Sequence, residues 1–243
     1  MIVAAHQPHY MPWLGYLDKI ARADLFVVMD DLQFETQNFQ NRQRIKLCAG
    51  PAWLTVPVHR GSQHERICDK TIISSANPRH HWQHRHWETI RNNYGRAPYF
   101  ADYADELHAV YTRRWENLID LDRHMLTLAL QWLDIRTPIV SSSQLMLCGT
   151  KTDRLIDMCT KLRAQTYLTG SGGSTGYLDG DKLAKAGISV AWQKFQHPSY
   201  PQRHPRAGFV SHLGFLDLVL NCGPASREIL FGTPVEARVR EVA

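Results

Sequence analysis

The feature that most constrains the fold is a set of short apolar runs that do not alternate and that end in polar residues. Residues 1–5 stop at His6-Gln7-Pro8, and residues 25–29 stop at Asp30-Asp31. A strand with one wet face alternates, whereas a strand covered on both faces reads as a continuous apolar run, the pattern of a parallel sheet between helical layers. Between the two runs Leu14, Leu17 and Ile20 recur at helical spacing, with Asp18 and Lys19 facing elsewhere, so residues 14–22 are expected to be a helix. Strand, helix, strand within thirty residues predicts an α/β fold.

Further strands are expected at 53–58, after the Gly50-Pro51 turn, at 72–73, at 139–140, at 166–169 and at 188–193. Residues 33–46, rich in Gln, Asn and Arg, read as an ordered excursion near a ligand. From residue 77 the pattern turns helical: Asn77-Pro78 is a start signal and Tyr94-Gly95 a stop, followed by helical spacing over 98–113 and 116–133. Shorter helices are expected at 152–162, 179–186 and 213–220. The expectation is one domain over 1–243, a three-layer Rossmann-like, mostly parallel sheet with a helical insertion or subdomain at about 77–134.

With 44% hydrophobic and 21% charged residues in 243, the chain is long enough to bury a core without disulfides. Its five cysteines are odd in number and form no CxxC pair, which predicts reduced thiols, a cytoplasmic location and no zinc knuckle. No cationic leader or run of eighteen apolar residues occurs, so neither export nor integral membrane association is expected. The net charge of +5 favours anionic partners such as nucleotides and sugar phosphates. His80 and His84 lie four apart on an expected helix, but no third ligand is apparent and no metal site is expected.

In a parallel sheet, ligands sit beyond the carboxyl ends of the strands, so the polar loops at 6–16, 30–46, 170–177 and 196–202 are the candidate cleft. His6 and His9, beside Tyr10 and Trp13, suit proton transfer or phosphate contact. Asp30, before Gln33, suits an amine, ribose hydroxyls or Mg²⁺. Asn41, Arg42 and Arg44 offer amide and guanidinium donors for phosphate or carboxylate. Gly172 and Gly173 lie in a glycine-rich turn that resembles an anion nest, with Tyr177 able to close over a ligand. His197, Tyr200 and Gln202 form a second His-Pro-Tyr loop, in which His197 is a candidate base.

These residues carry a resemblance. His6-Gln7-Pro8 with Tyr10 and residues 12–16, Asp24, Asp30, Gln33-Phe34, Asn41-Arg42 and residues 53–58 are similar to the WbqC-like family found with bacterial O-antigen and surface-polysaccharide genes. Tyr167-Leu168 with Gly170, Tyr177-Leu178, His197-Pro198, Tyr200, Gln202, Leu216-Asp217, Asn221 and Gly223 continue the match. Gly214 stands where that family commonly has Ser. The resemblance implies transfer of glycine, or a similar aminoacyl or acyl group, to an amino sugar. On that implication His6 or His197 deprotonates the amine, Asp30 orients it, Arg42 and Arg44 hold phosphate or carboxylate, and the Gly172–Gly173 backbone receives developing charge. The expected partners are a nucleotide-linked amino sugar and an activated donor, with aminoacyl-tRNA as one version. The alternatives are an ATP- and Mg²⁺-dependent amide ligase and a non-catalytic sugar-nucleotide-binding assembly protein. A weaker likeness, in strand, Pro-Gly loop, helix, Ala23-Asp24, strand and Gln33-Phe34, is to the opening of pantothenate synthetase. That group's paired histidines are replaced here by Trp13 and Tyr16.

Overall fold

A computed structural model describes residues 1–75, 81–170, 172, 176 and 178–232. In chain order its elements are β1 (Ile2–His6), α1 (Leu14–Ala21), β2 (Leu25–Val28), β3 (Arg42–Leu47), β4 (Gly50–Thr55), α2 (Trp82–Tyr94), α3 (Phe100–Thr112) and α4 (Leu118–Trp132). There follow β5 (Ile139–Ser141), α5 (Ser142–Leu145), α6 (Lys151–Lys161), β6 (Thr166–Gly170), α7 (Gly180–Lys185), β7 (Ser189–Gln193), α8 (Phe215–Cys222) and α9 (Ser226–Phe231).

The non-alternating runs form a five-stranded parallel sheet in the order β5-β2-β1-β6-β7. Their composition follows from burial on both faces. Val3, Ala5, Val27 and Met29 pack with Leu155, Met158 and Leu183 from α6 and α7. Ala4, Phe26 and Val28 point the other way, into a core shared with Leu17, Leu121, Met125, Leu216 and Val219 of α1, α4 and α8. This is a three-layer, Rossmann-like arrangement.

Four sequence expectations change. The strand expected at 53–58 is β4, and it lies outside the main sheet, paired antiparallel with β3 from Arg42↔Thr55 to Leu47↔Gly50. The excursion at 33–46 therefore supplies half of a hairpin. Residue 72 makes a single bridge to Val58 instead of a strand. Finally, α1 is buried all round: Asp18 is 1% and Lys19 7% exposed, because the helix lies on the sheet beside β6 and is covered by α9. The helices expected from 77 onward are α2, α3 and α4, whose apolar faces join the core that includes Leu14 and Phe26. The Asn77-Pro78 start signal and His80 lie outside the described residues.

Candidate functional site

Strand order reverses between β1 and β6, since β1 leads to β2 on one side and the chain returns on the other as β6. The crevice beyond the carboxyl ends of these two strands is where such sheets bind ligands. His6 ends β1, Gly170 ends β6, and α1 begins above them. The His6 ring lies 4.8 Å from His9 and 5.1 Å from Tyr16, centre to centre, and His9 stacks on Phe39 at 5.3 Å. The loop before β3 is fastened here by Tyr10 N–H donating to Phe39 O (3.0 Å) and by Gln40 Nε2 donating to Gln7 Oε1 (3.0 Å).

The electrostatics are one-sided. His6 Nδ1 donates to Gln7 O at 3.1 Å, and its Nε2 has no hydrogen-bond partner among the described residues. Lys19 reaches the end of β6, where a Cβ on Gly170 would lie 3.6 Å from its Nζ, and among the described residues the ammonium has no hydrogen bond or ion pair. Burial pulls Lys19 down to about 8. His6 falls to about 3 through burial and, next, the Lys19 charge. Burial also holds His9 well below its ordinary value, with His6 and Lys19 adding to the effect. The neighbouring Asp18 does not compensate, because Arg22 (2.8 Å) and Gln193 (2.7 Å) occupy its carboxylate. A buried cation beside two neutral imidazoles suits an anionic group.

The other predicted residues fall elsewhere. Tyr10 is fully buried, its hydroxyl bonded to His86 and Tyr111. Trp13 covers Gly15, where a Cβ would clash with the indole at 2.2 Å, and packs on Phe195 and His212. Asp30 is 2% exposed and receives Ser143 N–H (2.9 Å), Ser143 Oγ (2.9 Å) and Ser142 Oγ (3.2 Å), with Arg123 at 3.5 Å. Its oxygens tie β2 to the start of α5. Gln33 is exposed and bridges Arg66.

Asn41 Nδ2 bonds Val56 O within the hairpin segment. Arg42 lies over Trp53, 4.2 Å from the ring centre, and bonds Gln37 O; Arg44 reaches Ser211 O and His212 O at 3.5 Å. Both flank an exposed indole on the hairpin. Gly172 is exposed; Gly173 and Tyr177 lie outside the described residues.

His197 donates from Nδ1 to Pro198 O (2.8 Å) and accepts at Nε2 from His212 N–H (3.1 Å). Both ring nitrogens are engaged, so proton transfer there requires those bonds to break. Gln202 accepts from Lys46 Nζ (3.1 Å) and Val210 N–H (2.9 Å), and donates to Val210 O (2.8 Å) and Asp217 (2.7 Å). The Tyr200 hydroxyl faces the same carboxylate. Tyr94 also donates to Asp217, at 2.8 Å. These motif residues form a saturated internal knot.

Gly214 is buried at the start of α8, where a Cβ would lie 2.9 Å from Gln43 Cγ and 3.0 Å from Met11 O. A side chain here would meet protein atoms, so the position is one of close packing. Sequence reasoning missed Lys19 and Asp122, and placed Tyr16 in the candidate cleft without giving it a role. A signal existed for Asp122, a carboxylate between Leu118 and Met125 on the apolar period of α4. Among the described residues no group of three His, Cys, Asp or Glu could hold a metal, and no helix is long and apolar enough to cross a membrane.

Residues 7–229 match the sequence model of the WbqC-like protein family. The chain is similar to a Mycobacterium tuberculosis (strain ATCC 25618 / H37Rv) protein, uncharacterized protein Rv1507c. The two are 33% identical over 231 residues, covering 94% of this chain and 96% of that one. No solved structure matches.

Proposed function

The chain belongs to the WbqC-like protein family, and from that premise we propose that it is an enzyme forming an amide. It moves a small acyl or aminoacyl group, glycyl being the one the family resemblance suggests, onto the amino group of a nucleotide-linked sugar in surface-polysaccharide synthesis. One observation carries the reading: Lys19 lies at the switch point beside His6, and among the described residues neither the buried ammonium has a counter-charge nor His6 Nε2 a hydrogen-bond partner. In this scheme Lys19 holds a phosphate or carboxylate of a substrate. The amine attacks the acyl carbon, a C–N bond forms, the bond to the donor's leaving group breaks with its electron pair, and the amine proton passes to His6 Nε2.

His6 near 3 is a weak base in the free crevice. Because the Lys19 charge helps to depress it, an anion bound there offsets that charge and strengthens the base as substrate arrives. The test is intact-mass analysis of amino-sugar nucleotides incubated with activated donors, with and without ATP, Mg²⁺ and charged tRNA. A fixed mass gain is expected, and His6→Ala is expected to slow it about 10²–10⁴-fold while the protein stays folded. An unchanged rate in His6→Ala would remove the mechanism, and a strict need for ATP with release of AMP or ADP would assign a ligase instead.

A further inference from the structure

Behind His9 lies a small, partly open cavity of about 10 Å³, about the least space that holds one water. Val28 and Leu126 supply apolar wall, while His9, Tyr16 and Asp122 face in from three segments. These three are 5%, 2% and 2% exposed. His9 Nδ1, the Tyr16 hydroxyl and both Asp122 oxygens have no hydrogen-bond partner among the described residues. Four orphaned polar atoms around one small space are not a packing accident, since buried polar atoms are nearly always bonded to protein or ordered water.

Charge narrows the assignment. A carboxylate here needs a counter-charge or a proton. Arg123 also lines the cavity, but its guanidinium is directed to Ser141 and Asp30. Lys19 is directed to the end of β6. The Tyr10 hydroxyl, whose own burial and Tyr111 partner dominate it, also senses Asp122. We propose that Asp122, Tyr16 and His9 hold one buried water and share a single proton through it, so that Asp122 sets the charge of the His9 ring against which His6 packs. The transfer balances: the Asp122 carboxyl gives a proton to the water, the water gives one to His9 Nδ1, and a carboxylate and an imidazolium result. Burial, which pushes Asp122 well above the carboxylate range, agrees with a retained proton. Asp122 is thus a positioning residue.

The inference deepens the transferase reading and rests on it for the rate measurement alone, because the folding measurement needs no substrate. Melting temperatures of the wild type and Asp122→Asn are compared from about pH 5 to about pH 8.5. In the unfolded wild type the pair has lost both protons above about pH 6.5, while the folded pair keeps one, so the pair's contribution to wild-type stability falls about tenfold in the folding constant per pH unit. In the folded variant the site keeps none, so its contribution rises up to about pH 6.5 and is level above, the other groups cancelling in the comparison. The variant-minus-wild-type difference should therefore rise across the range. Should Asp122→Asn fail to fold, His9→Gln provides the check, its decline beginning near about pH 4 instead of about pH 6.5.

A flat difference would overturn the shared proton. Stabilisation of the wild type by KCl over choline chloride, absent from Asp122→Asn, would replace the water with a cation and also overturn it. For the rate, Asp122→Asn is expected to shift the pH profile of transfer with KM unchanged, and an unmoved profile counts against the inference. If the wild type transfers nothing, the transferase reading fails while the melting series still decides the proton.

Discussion

Lys19 and Lys46 are both buried, 7% and 1% exposed, yet their surroundings are opposite. Lys46 gives its protons to Gln202 Oε1 (3.1 Å) and Gly208 O (2.5 Å), beside an Asp217 whose oxygens are bonded in turn. This knot joins β3, α2, α8 and the loop after β7. Lys19 has comparable burial and, among the described residues, no acceptor. Burial alone therefore does not single out a lysine here; what separates Lys19, and what our proposal rests on, is burial without a partner among the described residues at the point where strand order reverses.

The contrast can be broken by removing each ammonium. Lys46→Met strands Gln202, Gly208 O and Asp217 without their cation, and a loss of about 3 kcal/mol in urea unfolding is expected. A loss below about 1 kcal/mol would mean that the knot is not what holds this end of the molecule. Lys19→Met should act in the other direction. Its folded value near 8, against 10.5, is a cost fully present below about pH 8 and relieved between there and about pH 10.5, where the unfolded chain binds more protons. Stabilisation on the order of 2 kcal/mol at neutral pH is expected, together with lost retention of anionic substrates. A variant less stable than wild type would place Lys19 among the structural lysines. The smallest effect belongs to His197→Gln: two lost hydrogen bonds should cost about 1 kcal/mol, with transfer slowed less than about tenfold. A loss matching that of His6→Ala would return the base role to His197.

The sheet was legible because burial on both faces leaves no alternation, and this can be read directly in residues 1–5 and 25–29. The separate β3–β4 hairpin was not, since an apolar run does not name the strand it pairs with. Of the crevice, His6 and His9 were legible from their place at the end of a buried strand. Lys19 was not, because the apolar spacing of α1 identifies one buried face and cannot say that the opposite face is covered as well. Tyr200, Gln202 and Asp30 were read as ligand contacts from side-chain chemistry, and the same chemistry equally satisfies internal hydrogen bonds. Asp24 behaves likewise, accepting Ile2 N–H at 2.7 Å.

One helix joins these regions. Within α4, Asp122 faces the cavity behind His9 and Leu126 walls it, while Arg123 reaches Asp30 at the end of β2. The stretch between β4 and β5 is thus no detachable ornament. A chimaera that swapped it for a relative's would import new acid–base behaviour along with new packing.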